Sequence, residues 1–225
     1  MPTKSHTPSD FLEALAPHLV PELRPPSEFA RFTRNPAVVG AYVESAVRNL
    51  IVRYVAPLRV STGAVIDQSN KPYDARLPQV DTIVWAPSPA PAVFQVGEFA
   101  LVSRSSAFAV LEVKSSAYDT ASLDKRLSQK LIRQLTADAV PEEQAHLGAF
   151  SAGLGVVCVR LATQSKRSLA RMRNADKVVV LFDQEGETYK PRVKDIYRLV
   201  NFLAAVRLRA RLHEGKVAIN LGVLP

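Results

Sequence analysis

Two nearly continuous apolar segments constrain the fold of this chain more than any other feature of its sequence. They are residues 153–161 (GLGVVCVRL) and 177–182 (KVVVLF), and both are rich in valine. A strand that is apolar on both faces has to be covered on both faces, as happens in the central strands of sheets flanked by helices. The chain is therefore predicted to have an α/β fold with a central mixed β-sheet flanked by helices.

The rest of the chain supplies further strands and the helices that cover them. From Pro36 to Ala56, apolar residues recur at helical spacing and Pro57 follows, so an amphipathic helix is expected to end there. The segment that joins the second and third strands is ambiguous. The other predicted elements are strands over 58–66, 80–86 and 107–114 and helices over 119–135 and 193–212.

The chain divides into a short N-terminal segment and one main domain. Residues 1–35 are predicted to form a helical, proline-rich appendage, in which a short helix over 11–15 is interrupted by Pro17. Residues 36–225 are predicted to form the functional domain, which includes a basic C-terminal helix. A domain of this length is large enough to bury its own core.

Composition excludes several classes of protein. Apolar residues make up 47% and charged residues 22% of the 225 residues, which is ordinary for a globular domain. No apolar run approaches the ~20 residues that cross a bilayer, and the N-terminus lacks an apolar signal segment. The single cysteine excludes an internal disulfide, and the four histidines have no zinc-site spacing. A cytoplasmic protein without membrane contact is expected.

The net charge of +8 is concentrated near the C-terminus. Between Arg160 and Lys216 there are 14 basic and 6 acidic residues, an excess equal to that of the whole chain. A one-sided basic field attracts polyanions and steers their approach, which favours nucleic acid as the partner. A well-solvated basic surface without any partner would show the same composition.

Three charged residues lie within otherwise apolar predicted strands: Asp81 in QVDTIVW, and Glu112 and Lys114 in VLEVKSS. Glu112 and Lys114 project to the same side of their strand, about 7 Å apart. Charges in apolar strands are costly unless they are paired or bind something. If the two strands pair, the three groups converge. Two carboxylates then suit a hard divalent cation, and a lysine can orient or deprotonate a water, which are the ingredients of phosphodiester hydrolysis.

A simpler interpretation explains the same residues. Glu112 and Lys114 would be an ion pair at an exposed edge, and Asp81 would lie at the end of a strand. The E-x-K pattern alone does not distinguish the two interpretations. The apolar surroundings of both segments, and the position of Asp81 on a predicted neighbouring strand, favour the catalytic one.

At these residues the chain resembles the PD-(D/E)XK nuclease superfamily. Its pattern is an amphipathic helix with an acidic residue, a hairpin bearing an aspartate, and (D/E)-x-K on the next strand. Here Glu44 in GAYVESAVRNL matches the helix acid, Asp81 matches the hairpin aspartate, and residues 112–114 match the signature. The resemblance covers about residues 36–185 and is greatest to a prokaryotic group of unknown function. Val80 precedes Asp81 in place of proline, and the Gln-x-x-x-Tyr element of one branch is absent.

The resemblance implies a restriction-endonuclease-like core and a catalytic set of Asp81, Glu112, Lys114 and Glu44. Asp81, Glu112 and the backbone carbonyl of Val113 would bind Mg²⁺, for which Mn²⁺ would substitute. Lys114 would position and activate the attacking water.

Glu44 has two interpretations. By resemblance, it would support a second metal or a metal-bound water. Alternatively, it would form only a surface pair with Arg48, four residues further along the same helix.

Several residues are candidates for contacts with nucleic acid. The segment between the last two predicted strands is basic and is not the end of a helix, so the helix dipole does not explain its positive charge. The dipole does explain the positions of Arg207, Arg209 and Arg211 at the end of the last predicted helix. Two polar residues follow the signature on the next predicted helix and would contact the scissile phosphate or form a solvated helix face. The candidates are Lys166, Arg167, Arg171, Arg173, Gln129 and Lys130.

The leading hypothesis is a Mg²⁺-dependent endonuclease, with DNA favoured over RNA, that acts in prokaryotic phage defence or restriction. Because no domain for target recognition is evident, specificity is expected to come from a homodimer, a partner or a loop. A second hypothesis is a non-catalytic nucleic-acid-binding protein with the same fold and the same basic C-terminal surface. A third is a structural or assembly protein of a mobile element.

Overall fold

The computed structural model describes residues 8–20, 33, 35–66, 79–87, 91–116, 120–127, 154–162, 169–186 and 188–220. Within these ranges, two short 3₁₀ turns, Arg104–Ser106 and Ala175–Lys177, accompany the helices and strands. In chain order the elements are α1 (Pro8–Leu19), α2 (Pro36–Val55), β1 (Arg59–Ile66), β2 (Val80–Trp85), β3 (Phe94–Val96), β4 (Phe99–Ser103), β5 (Ala107–Ser116), α3 (Thr120–Leu127), β6 (Val156–Ala162), β7 (Val178–Glu185), β8 (Thr188–Pro191) and α4 (Val193–Asn220).

The described strands form one mixed sheet of eight strands in the order β3-β4-β1-β2-β5-β6-β7-β8. Strand β5 is central: it pairs antiparallel with β2 and parallel with β6. The parallel part continues from β6 to β7, and β1 pairs parallel with β4. The prediction of an α/β fold with a central mixed sheet flanked by helices is confirmed.

Helices cover both faces of this sheet. On one face, α1, α2 and α4 pack in a single core cluster with Val157 and Val179. On the other face, α3 packs against Val156 and Val180. Strands β6 and β7 are therefore buried from both sides, as their apolar sequences predicted, and the two faces of β5 meet different layers.

Helix α2 is defined at both ends by local sequence. Asn35 precedes it, and the Asn35 side-chain oxygen accepts a hydrogen bond of 3.0 Å from the N–H of Ala37. Pro36 occupies the first turn, where a missing N–H costs nothing. The helix ends at Val55, just before Pro57, as predicted. The residues that it buries lie at helical spacing and are Val43, Val47, Leu50, Ile51 and Val55.

The N-terminal helix is longer than the sequence indicated. Pro17 was expected to interrupt it, yet α1 continues through Pro17 to Leu19. Pro17 lies in the final turn of α1. Its missing N–H leaves only the backbone carbonyl of Glu13 without a helical hydrogen bond, and Glu13 is exposed to solvent. Ala16 and Val20 are buried in the core formed with α2 and α4, so this helix is packed onto the main body of the protein.

Two features of the sheet were not predicted. The ambiguous segment contains the hairpin of β3 and β4, which turns at Gly97 with φ +56°. Its first strand shows no alternation of buried and exposed residues, because all three residues of β3 are exposed. The short strand β8 is largely exposed and was also missed. The final helix extends to Asn220, beyond the predicted end at residue 212.

None of the helices in the described ranges has both the length and the apolar character that crossing a membrane requires.

Candidate active site

The pairing of β2 with β5 places the two carboxylates side by side. Thr82 lies opposite Leu111 in the antiparallel register, so the preceding residue of β2 is adjacent to Glu112. The N–H of Val113 donates a hydrogen bond of 2.8 Å to Oδ2 of Asp81. The ladder of main-chain hydrogen bonds between β2 and β5 ends here. The Asp81 carboxylate takes the place of a main-chain acceptor for the N–H of Val113.

Lys114 joins the two carboxylates. Its Nζ lies 2.7 Å from Oε1 of Glu112 and 3.9 Å from Oδ2 of Asp81. Burial tends to lower the pKa of Lys114, but the hydrogen bond and charge of Glu112 outweigh it, so its pKa is raised above the usual value. The structure therefore brings the three strand residues together around one ammonium group, which is protonated in this state.

Arg126 is a site residue that the sequence analysis missed. Its Nε donates to Oε2 of Glu112 at 3.2 Å, and its guanidinium also bonds to the carbonyl of Gln79. Helix α3 positions it: Leu123 and Leu127 are buried against the sheet, which places Arg126 beside the end of β5. The two buried leucines could have indicated this face of the helix, but not the carboxylate that Arg126 contacts.

Arg48 connects α2 to the same site. It donates to the backbone carbonyl of Asp81 at 3.1 Å and to Glu98 in the β3–β4 turn at 3.0 Å. Glu44 lies 3.8 Å from the Arg48 guanidinium. The pair expected as the simpler interpretation of Glu44 is thus present, although the closer contacts of Arg48 are with Asp81 and Glu98. Glu44 is near enough to raise the pKa of Asp81 slightly through its charge.

The carboxyl group of Asp81 is the most electrostatically perturbed group of the site. Burial, followed by the charge of Glu112, raises the pKa of Asp81 from 3.8 to about 6. The hydrogen bond from Val113 and the ammonium of Lys114 act in the opposite direction and are too weak to prevent this. Burial therefore makes the charged form of the Asp81 carboxyl group costly in this site.

This perturbation predicts a pH-dependent cost to stability. The folded protein binds the Asp81 proton more tightly than the unfolded chain does. The resulting stabilisation is complete below pH 3.8 and is lost as the pH rises through about 6. An asparagine at position 81 would still accept the hydrogen bond from the N–H of Val113 and would carry no charge. Asp81→Asn should therefore raise the free energy of unfolding by about 1–3 kcal/mol at pH 7.5 and by less at pH 5. Urea unfolding in chelator at both pH values measures this.

The control for this measurement is Asp176→Asn, which removes a carboxylate that is exposed. That variant should show little difference in unfolding free energy between the two pH values. An Asp81→Asn variant that is less stable than the wild type at pH 7.5 would contradict the elevated pKa.

The donors at this site fit a divalent cation only in part. Asp81 and Glu112 offer hard carboxylate oxygens of the kind that Mg²⁺ prefers, and Glu112 is already paired with Lys114 and Arg126. Within the described ranges no group of three or more acidic, histidine or cysteine side chains could hold a metal. Mg²⁺ keeps several waters and is often bound through only one or two protein carboxylates, so Asp81 and Glu112 stay predicted ligands. Val113 contributes its N–H to the site, and its carbonyl stays a predicted ligand.

The predicted nucleic-acid contacts are only partly described. Arg171 and Arg173 are exposed on a turn before β7. The N–H groups of Arg173 and Asn174 donate to the carboxylate of Asp124 on α3, at 3.0 and 3.1 Å, which fixes this turn against the helix that carries Arg126. The other four candidates, Lys166, Arg167, Gln129 and Lys130, lie outside the described residues.

The sheet order and the helices on its two faces define a restriction-endonuclease-like fold, as predicted. The chain is similar to NucC from P. aeruginosa ATCC27853 in its cAAA-bound form, with a TM-score of 0.54 and 16% identity over 89% of this chain and 92% of that chain. It is also similar to cAAA-bound NucC from E. coli MS115-1, with a TM-score of 0.50 and 17% identity over 90% and 92%. No family model and no curated protein sequence matches the chain.

Proposed function

We propose that this protein is a Mg²⁺-dependent endonuclease that hydrolyses phosphodiester bonds in DNA. The observation that carries the proposal is the convergence of Asp81, Glu112 and Lys114 at the end of the β2–β5 ladder. Two carboxylates and a lysine in this arrangement match the resemblance found in the sequence, and they lie on a fold of the corresponding class. A cytoplasmic role in prokaryotic phage defence, with specificity from a second copy or a partner, belongs to the same proposal.

In this proposal the described residues have separate tasks. Asp81, Glu112 and the carbonyl of Val113 would hold the metal. When bound, the metal would acidify a water and neutralise charge on the phosphate. Lys114 orients the attacking water and contributes positive charge beside the phosphate. Arg48 fixes the backbone of Asp81, which keeps the carboxylates in register.

A second candidate function is non-catalytic binding of nucleic acid. One observation favours it: Glu112 is neutralised on both oxygens, by Lys114 at 2.7 Å and by Arg126 at 3.2 Å, without any metal. A site balanced in this way is also what a structural ion-pair network would show. The two functions differ in whether the carboxylates bind a divalent cation.

Calorimetric titration with Mn²⁺ tests the proposal. Mn²⁺ is chosen because it generally binds such oxygen sites more tightly than Mg²⁺. Saturable binding to the wild-type protein is expected, and the Asp81→Ala/Glu112→Ala double variant should not bind. Asp183→Ala/Asp176→Ala, which removes two carboxylates from another part of the chain, is the control and should bind as the wild type does. If wild type fails to bind Mn²⁺ both alone and with a non-hydrolysable duplex, the nuclease proposal fails.

The turn that carries Arg171 and Arg173 gives a separate prediction about substrate binding. If both guanidinium groups contact phosphates, Arg171→Ala/Arg173→Ala should weaken binding of a short duplex and lower the slope of log affinity against log salt by about 2. Fluorescence anisotropy at several salt concentrations measures the slope. Lys190→Ala/Lys194→Ala removes two other exposed cations and serves as the control. An unchanged slope in the arginine variant would place the phosphate path elsewhere.

A further inference from the structure

A cavity lies away from the carboxylates, between the C-terminal end of α2 and the middle of α4. It is a half-open cleft of about 330 Å³. Three arginines line it, Arg53 from α2 and Arg207 and Arg211 from α4, together with Tyr54. No acidic residue is among the described residues that line it, so these walls carry positive charge only.

The two arginines of α4 differ from other arginines in and beside that helix. Arg198 is paired with Asp195 at 3.1 Å, and Arg192, just before the helix, is paired with Asp183 at 3.4 Å. Within the described ranges, by contrast, Arg207 and Arg211 form no ion pair, and Nε of Arg207 is covered without a hydrogen-bond partner. The guanidinium groups of Arg207 and Arg211 repel each other, and an anion between them would relieve this by accepting N–H groups from both.

The cleft is separate from the candidate active site. Arg53 follows Glu44 by nine residues on α2, which is about two and a half turns. The two side chains therefore leave the helix on opposite sides. Glu44 and Arg48 are directed to the end of β2, whereas Arg53 faces α4. The cleft and the carboxylates therefore lie on different sides of this helix.

The remaining walls of the cleft describe the rest of the ligand. Val200, Ala204 and Leu208 form an apolar side, and Leu208 is unusually exposed for a leucine at 42%. The hydroxyl of Tyr54 donates to the carbonyl of Leu19 at 2.8 Å, so the ring is held in place as part of the wall. The volume is about ten times that of a water molecule, more than one phosphate group fills.

We propose that this cleft binds a phosphate ester whose organic part is apolar or aromatic. The phosphate would be held by Arg207 and Arg211, and the organic part would cover Leu208 and the ring of Tyr54. Clefts of this volume, with a mostly apolar wall and a few convergent polar groups, are typical of small-molecule sites.

Calorimetric titration with three probes tests the proposal: phenyl phosphate, glycerol phosphate and inorganic phosphate. Phenyl phosphate should bind one to one and at least about tenfold more tightly than the other two, which carry the same charged group without an apolar part. Arg207→Gln/Arg211→Gln should weaken its binding by about tenfold for each arginine. The control Lys190→Gln removes one exposed cation elsewhere and should bind normally.

Two further variants make the outcome decisive. Arg211→Gln alone changes an exposed residue and keeps the test valid if the double variant fails to fold. Asp81→Ala/Glu112→Ala should bind phenyl phosphate as the wild type does, so a failure of the nuclease proposal leaves this one standing. Equal affinity for all three probes, or binding unaffected by the arginine substitutions, would overturn it. So would an Arg207→Gln/Arg211→Gln variant that loses only duplex DNA binding, because the cleft would then contact the substrate backbone.

Discussion

Replacement of Lys114 by alanine is expected to lower the rate of phosphodiester hydrolysis by about 10³-fold while the protein still binds duplex DNA. Lys114 is 41% exposed and lies on the solvent side of both carboxylates, where a water and a phosphate would enter. Its loss removes the group that orients the attacking water. It leaves Glu112 paired with Arg126, so the strands should stay in register. Cleavage of a labelled duplex and anisotropy binding measure the two effects separately.

Two controls distinguish the role of Lys114 from its charge. Lys194→Ala removes an exposed lysine at the start of α4 and should cleave at the wild-type rate. Lys114→Arg keeps the positive charge but cannot place a single ammonium between the carboxylates, so it should stay strongly impaired. If Lys114→Ala cleaves as fast as wild type, or if none of these proteins cleaves while all of them bind, the non-catalytic function is favoured.

Replacement of Gly63 by alanine is expected to destabilise the protein by more than about 3 kcal/mol, which would leave most of a marginally stable domain unfolded. Gly63 lies in β1 between β2 and β4, with φ +142°, a backbone conformation that is essentially restricted to glycine. An added Cβ would meet the backbone oxygen of Ala100 at 2.0 Å. Strand β1 pairs with β2 on one side and with β4 on the other, so neither neighbour can move away without breaking its hydrogen bonds to β1. Urea unfolding, or the yield of folded protein, measures the effect.

The chain offers two matched controls for this substitution. Gly186 also has a positive φ, +61°, but an added Cβ would meet nothing within 4 Å, so Gly186→Ala should cost about 1–2 kcal/mol. Gly40 lies within α2 with open space around it, so Gly40→Ala should stabilise the protein by about 0.5–1 kcal/mol. A Gly63→Ala variant no less stable than Gly186→Ala would show that β1 and β4 can separate.

The elements that the sequence predicted well are those whose burial pattern is simple. Helix α2 shows one apolar face and a proline after its end, and β6 and β7 are apolar on both faces because both faces are covered. The hairpin of β3 and β4 escaped prediction because β3 is exposed on both sides and gives no alternation. Its existence depends on a partner distant in sequence, β1, which a local pattern does not reveal.

The residues of the candidate site likewise fall into those that the sequence predicted and those that it did not. Asp81, Glu112 and Lys114 were predicted because charges in apolar strands stand out. The proximity of Asp81 to Glu112 followed from assuming that their strands pair, which the structure shows. Arg126 could not be predicted, because its contact depends on how α3 returns over the end of β5. The elevated pKa of Asp81 likewise depends on burial, which the sequence does not display.

The hydrogen bond from Val113 to Asp81 affects how mutations would accumulate in relatives of this chain. Most substitutions at position 81 would orphan a main-chain donor as well as remove a carboxylate, so they would harm folding together with any chemistry. Asparagine is the substitution that keeps the bond, so a relative that had lost activity could retain aspartate or asparagine there for structural reasons. No described backbone group depends on the Lys114 side chain. Position 114 is therefore constrained by activity and not by backbone hydrogen bonding. The presence of lysine at that position is the better sign that a relative is an active enzyme.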